Sequence, residues 1–121
     1  MDGETTGEEL MAAAKDIPHF RGVFLRTQLP YLRGPAWREK AIINLCDESS
    51  PGTHWCCYTK NGSRVRFYNS YGNLRPPSEL VQYLGPQCEI SYNRSQHQTY
   101  SQKNCGHLCI KFLKESAIKG E

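Results

Sequence analysis

The stretch that most limits what this chain can fold into is a pair of β-rich runs, Thr53–Lys60 and Ser63–Ser70, separated by Asn61-Gly62. Asn-Gly between such runs marks a two-residue type I′ hairpin, because both central residues must take positive φ and these residue types tolerate it. So short a loop fixes the register. It predicts Lys60 opposite Ser63, Tyr58 opposite Val65, Cys56 opposite Phe67 and His54 opposite Asn69. One face then carries His54, Cys56, Tyr58, Val65, Phe67 and Asn69. The other carries Trp55, Cys57, Thr59, Arg64, Arg66 and Tyr68. The first face is apolar except at its open end, where an imidazole meets a carboxamide. Opposed side chains on neighbouring strands have Cβ atoms about 4.5–5.5 Å apart, close enough for these two to interact.

A second feature lies near the C-terminus. Leu108, Cys109, Phe112 and Leu113 recur at helical spacing, with Lys111, Lys114 and Glu115 between them. This is a helix with one buried face. Cys105 falls in its first turn, where unpaired backbone N–H groups and the helix dipole favour a thiolate and lower a thiol pKa. The helix needs a sheet face, and the His54/Asn69 face is the apolar candidate. Packed with its N-terminus toward the rim, it brings Cys105, His54 and Asn69 together. The three are then a nucleophile, its base and the group that orients the base. The Cys105 thiolate attacks an acyl carbon. His54 takes the thiol proton, forms an ion pair with the thiolate and later protonates the leaving amine. Asn69 accepts from the other ring N–H and holds the tautomer. Upstream, Gln98 extends its amide toward the developing oxyanion, with the backbone N–H of Cys105 as second donor. Gly106 lets substrate backbone approach without a Cβ in the way.

The other segments frame this core. Residues 1–7 are expected to be disordered, with Thr5 or Thr6 capping a helix over Glu8–Lys15 that has Leu10, Met11 and Ala14 on its apolar side and ends before Pro18. Phe20–Leu25 is a short strand, Leu29–Pro35 a loop and Ala41–Cys46 a buried strand. Ser78 caps a helix, Glu79–Leu84, that Gly85-Pro86 stops. Cys88–Tyr92 is a further strand, and Arg94–Asn104 a loop. With 121 residues and 38% hydrophobic content the chain forms one domain, 1–121. No apolar run approaches the roughly 20 residues of a membrane span, and the acidic start lacks the pattern of a signal peptide. An intracellular, soluble monomer follows, with its six cysteines mostly reduced. The net charge of +3 is weak and its arginines are scattered, an ordinary surface more than a polyanion site.

Gly52-Thr53-His54-Trp55, then Phe67-Tyr68-Asn69-Ser70-Tyr71-Gly72, then Gln98 ahead of Cys105-Gly106, resemble the adenovirus endopeptidase (adenain) family of cysteine proteases. The ubiquitin-like-protein proteases are its broader relatives. The nearest look is to adenain-like proteases of large self-synthesising DNA transposons and related viruses. Glu9–Asp16, Phe20–Phe24 and Ala41–Asn44 are similar to the N-terminal half of that family, so the resemblance covers residues 8–116. It implies an α+β, papain-like architecture in permuted order, a small mixed sheet packed on a central helix that starts at Cys105. It implies a cysteine endopeptidase acting on viral or transposon precursor proteins, in a host nucleus or virion. Trp55 would wall the substrate groove. The sequence itself shows no required cofactor; the resemblance implies DNA or an activating peptide, with Cys88 near the cysteine that tethers such a peptide in adenovirus.

Two departures count against a simple transfer. The family usually has Asp or Glu where Asn69 stands. The chain also stops at residue 121, where adenovirus enzymes continue with further helices, which fits a minimal catalytic domain, a fragment truncated relative to the family, or a domesticated copy. These motivate an alternative, a catalytically inactive descendant that binds peptide or nucleic acid in the same cleft. A zinc site from Cys105, Cys109, His107 and His54 is disfavoured, because Cys105 and Cys109 lie within one helix and the chain has no Cys-x-x-Cys pair. No metal is therefore expected.

Overall fold

The computed structural model describes residues 6–45, 54–72, 74–94 and 105–118. The chain is mixed α+β. In order it forms α1 (Gly7–Ala14), β1 (Phe20–Leu25), a 3-10 turn (Arg26–Tyr31), β2 (Arg38–Asn44), β3 (Trp55–Asn61), β4 (Arg64–Tyr68), α2 (Ser78–Leu84), β5 (Glu89–Tyr92) and α3 (Cys105–Ile118). The five strands make one sheet in sequence order. The β1/β2 and β4/β5 pairs are parallel; β2/β3 and β3/β4 are antiparallel.

Each face of the sheet is covered. Trp55, Cys57 and Tyr68 pack with Leu10 and Ala14 of α1 and with Cys105, Cys109 and Leu113 of α3. Cys56, Tyr58, Val65 and Phe67 pack with Leu29 of the 3-10 turn and with Leu80 and Leu84 of α2. This corrects the expected packing: the terminal helix lies on the Trp55/Cys57/Tyr68 face, and the sheet, not the helix, is the central layer. Arg64, Arg66 and Thr59 made that face look polar, but they sit toward the hairpin turn, while its apolar members cluster at the open end where α3 begins.

The hairpin register also differs. Asn61 faces Arg64, Lys60 faces Val65, Tyr58 faces Phe67 and Cys57 faces Tyr68, so the turn is Gly62-Ser63. The cause is β2. Asn61 pairs with Arg38, and the Gly62 N–H donates to Trp37 O at 2.8 Å, which draws Asn61 into the ladder. The slip is by two residues, which leaves every side chain on its predicted face.

At the N-terminus, Thr6 caps α1 through a capping box with Glu9. Thr6 and Gly7 are thus ordered, against the expectation of disorder through residue 7, and Met11 is exposed rather than packed. The loop expected at Leu29–Pro35 begins inside the 3-10 turn. Ser78 is the first helical residue of α2 rather than its cap, which is Pro77 with no side-chain bond. A buried carboxylate ties the α2 side together: Glu39 accepts from Arg21 (3.0 Å), the Ala36 N–H (3.0 Å), Tyr83 OH (2.7 Å) and Tyr58 OH. Among the described residues no helix is long and apolar enough to cross a membrane.

Gly62 takes φ +65°, and a Cβ there would lie 2.8 Å from Trp37 Cζ2. The Trp37 ring is 73% exposed and can swing away, so the cost of substitution comes mainly from the backbone. Gly62→Ala should lower stability by about 1–2 kcal/mol in urea denaturation, and Gly62→Asn by less.

Candidate active site

His54 immediately precedes β3, and its backbone carbonyl accepts from Leu45 N–H at 2.9 Å, which ties it to the end of β2. Its Nε2 lies 2.8 Å from Asn69 Oδ1. The same oxygen accepts the Tyr71 N–H at 3.0 Å. That second bond settles the chemistry of the first. A backbone N–H only donates, so the Asn69 atom it meets is the amide oxygen. An amide oxygen only accepts, so Nε2 carries the proton and Nδ1 carries the lone pair. Nδ1 is buried and has no hydrogen-bond partner among the described residues. It is a base shielded from solvent.

Two residues missed by the sequence reading complete this arrangement. The Tyr71 ring stacks on the imidazole, centroids 4.2 Å apart and planes within 6°. The realigned hairpin accounts for it: the ladder, continued past its last pair, places position 71 rather than 69 opposite 54. Asn69 reaches His54 diagonally from the tight turn that Gly72 N–H closes onto Asn69 O at 2.9 Å. The second missed residue is Asn93, just beyond β5, whose side chain bonds both the N–H and the carbonyl of Asn69. The directly readable signal was the turn-forming run Asn69-Ser70-Tyr71-Gly72; nothing local to Asn93 marked it.

Cys105 opens α3 and is 5% exposed. Its Sγ accepts from the Trp55 N–H at 3.3 Å. The thiol is therefore held against the residue next to His54, at the same end of the sheet, on a backbone amide rather than on the imidazole. Burial pushes the thiol pKa up; the N–H groups of Trp55, Gly106 and Cys105 itself pull it down, but burial prevails. Burial also pulls His54 below the ordinary histidine value, against a smaller upward pull from Asn69. Both shifts favour a neutral thiol and a neutral imidazole. This corrects the expected lowering of the thiol pKa: removal from water outweighs the helix terminus.

The remaining candidates divide. Gln98 lies outside the described residues. Gly106 is buried beside the thiol. The Trp55 side chain is 6% exposed and packed in the core, so its indole does not wall a groove as expected; its backbone amide is what reaches the site. His107 is exposed, and among the described residues no three His, Cys, Asp or Glu side chains gather where a metal could sit. The described cysteines, 56, 57, 88, 105 and 109, are all free thiols, and Cys88 donates to Leu84 O.

Comparison of the chain with protein-family models and with curated proteins finds no match to either.

Two measurements check these electrostatics. Alkylation of Cys105 by iodoacetamide should still be accelerating above the ordinary thiol pKa of about 8.5. His54 binds a proton less readily folded than unfolded, so its contribution to stability is complete above about pH 6.5 and declines as pH falls through that value. Denaturation midpoints at about pH 7.5 and about pH 5.5 should therefore differ, and His54→Gln should narrow the gap.

Proposed function

We propose that this protein is a cysteine endopeptidase of papain-like type, in the adenain-like permuted order, with Cys105 as nucleophile and His54 as base. One observation carries the reading: the Tyr71 N–H and Nε2 converge on Asn69 Oδ1, which leaves His54 a buried Nδ1 with no hydrogen-bond partner among the described residues, and His54 is next in sequence to the residue that holds the Cys105 thiol. Few structural roles ask for a histidine with one nitrogen so tightly specified and the other unpaired among the described residues, since a buried polar atom without a partner is destabilising.

The reaction proceeds in two halves. As Sγ attacks the peptide carbonyl carbon, its proton passes to Nδ1. The carbonyl π electrons move to oxygen, where the Cys105 N–H and, on the sequence reading, the Gln98 amide donate to the negative charge. Collapse of the tetrahedral intermediate breaks the C–N bond, and Nδ1–H protonates the departing amine. Water then attacks the thioester while Nδ1 takes its proton; that proton returns to sulfur as the acid leaves. Throughout, Asn69 holds Nε2–H and Tyr71 holds the ring plane, so the imidazolium formed in each half is hydrogen-bonded without ring rotation. Precursor proteins of a virus or transposon are the substrates that the sequence resemblance suggests, with DNA or a peptide as activator.

A second reading, an inactive descendant that binds peptide or nucleic acid, is favoured by one feature. The thiol hydrogen-bonds a backbone amide, and its pKa is raised rather than lowered. The two readings part on Cys105→Ala. For a peptidase, the substitution lowers cleavage of a peptide library by at least about 10³-fold, and a peptide vinyl sulfone labels Cys105 ahead of every other cysteine. For a binding module, affinity is unchanged by the substitution and no labelling preference appears. Asn69→Asp should turn over equally or faster, because the acceptor is kept and a charge is added beside the imidazolium. A drop of about a hundredfold would mean that Asn69 does not orient His54.

A further inference from the structure

We propose that Asn93 is a positioning residue of this site: its carboxamide grips the main chain of Asn69 on both polar groups and thereby sets the tautomer and orientation of His54. The inference rests on the catalytic reading of Cys105, His54 and Asn69.

The β4/β5 ladder ends at the pair Phe67/Tyr92. Asn69 lies beyond it, is 1% exposed, and has no strand neighbour to satisfy its backbone. Asn93 supplies one with its side chain. Its Oδ1 accepts the Asn69 N–H at 2.9 Å, and its Nδ2 donates to Asn69 O at 2.7 Å. A carboxamide presents a donor and an acceptor in one rigid plane, which a hydroxyl, an ammonium or an ionised carboxylate does not. The same Asn69 carbonyl takes the Gly72 N–H that closes the turn. That turn aims the Tyr71 N–H at Oδ1 and lays the Tyr71 ring on the imidazole. Asn93 therefore stands behind both contacts that orient His54. Loss of the grip frees the turn, and then Oδ1 no longer meets Nε2 and the Tyr71 N–H at once.

The test uses the full chain carrying Asn93→Ala, Asn93→Asp or Ser91→Ala. Ser91 bonds Val65 O on the same strand pair and reaches neither Asn69 nor His54, so its variant controls for a loosened β5. Nitrogen-15 NMR of the His54 ring reads the tautomer directly, with or without catalysis. Expected are a single Nε2–H tautomer in the wild type and in Ser91→Ala, and a mixture in Asn93→Ala. On a cleaved peptide, Asn93→Ala should lower kcat by about tenfold with KM within about twofold, since alignment is lost and binding is kept. Asn93→Asp keeps the acceptor and loses the donor, and should fall between. It also stands in should the alanine variant not fold. An unchanged tautomer and kcat in a folded Asn93 variant overturn the proposal, as does an equal loss in Ser91→Ala. A wild type that cleaves nothing, with the tautomer still scrambled by Asn93→Ala, sinks the peptidase reading and leaves the positioning role standing.

Discussion

Burial of β3 on both faces is the constraint on which the rest of the structure depends. Six of its seven residues are buried. Cys56 and Tyr58 enter the core under α2, and Trp55 and Cys57 enter the core under α3. A strand gripped on both sides, and paired along both edges by β2 and β4, cannot shift or roll without disturbing two cores. Its first residue and the one before it are therefore placed with the rigidity of the whole sheet. His54 is that preceding residue, and Trp55, whose N–H holds the thiol, is the first. The His54 imidazole and the Cys105 thiol are thus both tied to one strand that is enclosed on both faces.

The same two-sided burial explains what could be read from the sequence and what could not. The Asn61-Gly62 signal located the hairpin, and alternation assigned every side chain to its face, because a two-residue slip does not change parity. The register itself depended on β2, whose Trp37 and Arg38 capture Gly62 and Asn61; no hairpin rule includes a third strand. Helical spacing located α3 and put Cys105 in its first turn. Which face it covers depended on how far along the hairpin its footprint extends, so counting polar residues over the whole face misled. His54 next to Asn69 survived the register error by geometry: the contact is diagonal rather than directly across, and the turn after β4 carries Asn69 back. Tyr71 and Asn93 act through a ring stack and a main-chain grip; the turn-forming run around Tyr71 was the one local signal, and nothing local marked Asn93.

Electrostatics show the limit of reading a helix terminus alone. Cys105 receives the backbone N–H groups that its position promised, from itself, from Gly106 and also from Trp55. Each stabilises a thiolate, yet enclosure by Trp55, Cys109 and the α1 side destabilises it more. Helix-end effects are typically 0.3–1 kcal/mol, whereas taking an anion out of water costs several. The sign of the shift follows from that comparison.

Keeping the thiol and the imidazole neutral changes when charge must be separated. In a preformed ion pair the proton has already moved before substrate arrives. Here, on the peptidase reading, it moves as sulfur attacks, so the imidazolium and the oxyanion appear together and stabilise each other. The imidazolium then has Asn69 Oδ1 on one nitrogen and the Tyr71 ring against its face, a neutral acceptor and a π surface in place of a carboxylate. Both are held in place before the charge develops, the amide as a dipole and the ring through its quadrupole, so they need no reorganisation. An aspartate at position 69 would stabilise the imidazolium more, but it would also stabilise it before substrate binds. A carboxamide confines the benefit more closely to the reacting complex, at the cost of a slower proton transfer. Asn69 is therefore as coherent a choice for an imidazole that starts neutral as a carboxylate is for one that starts charged.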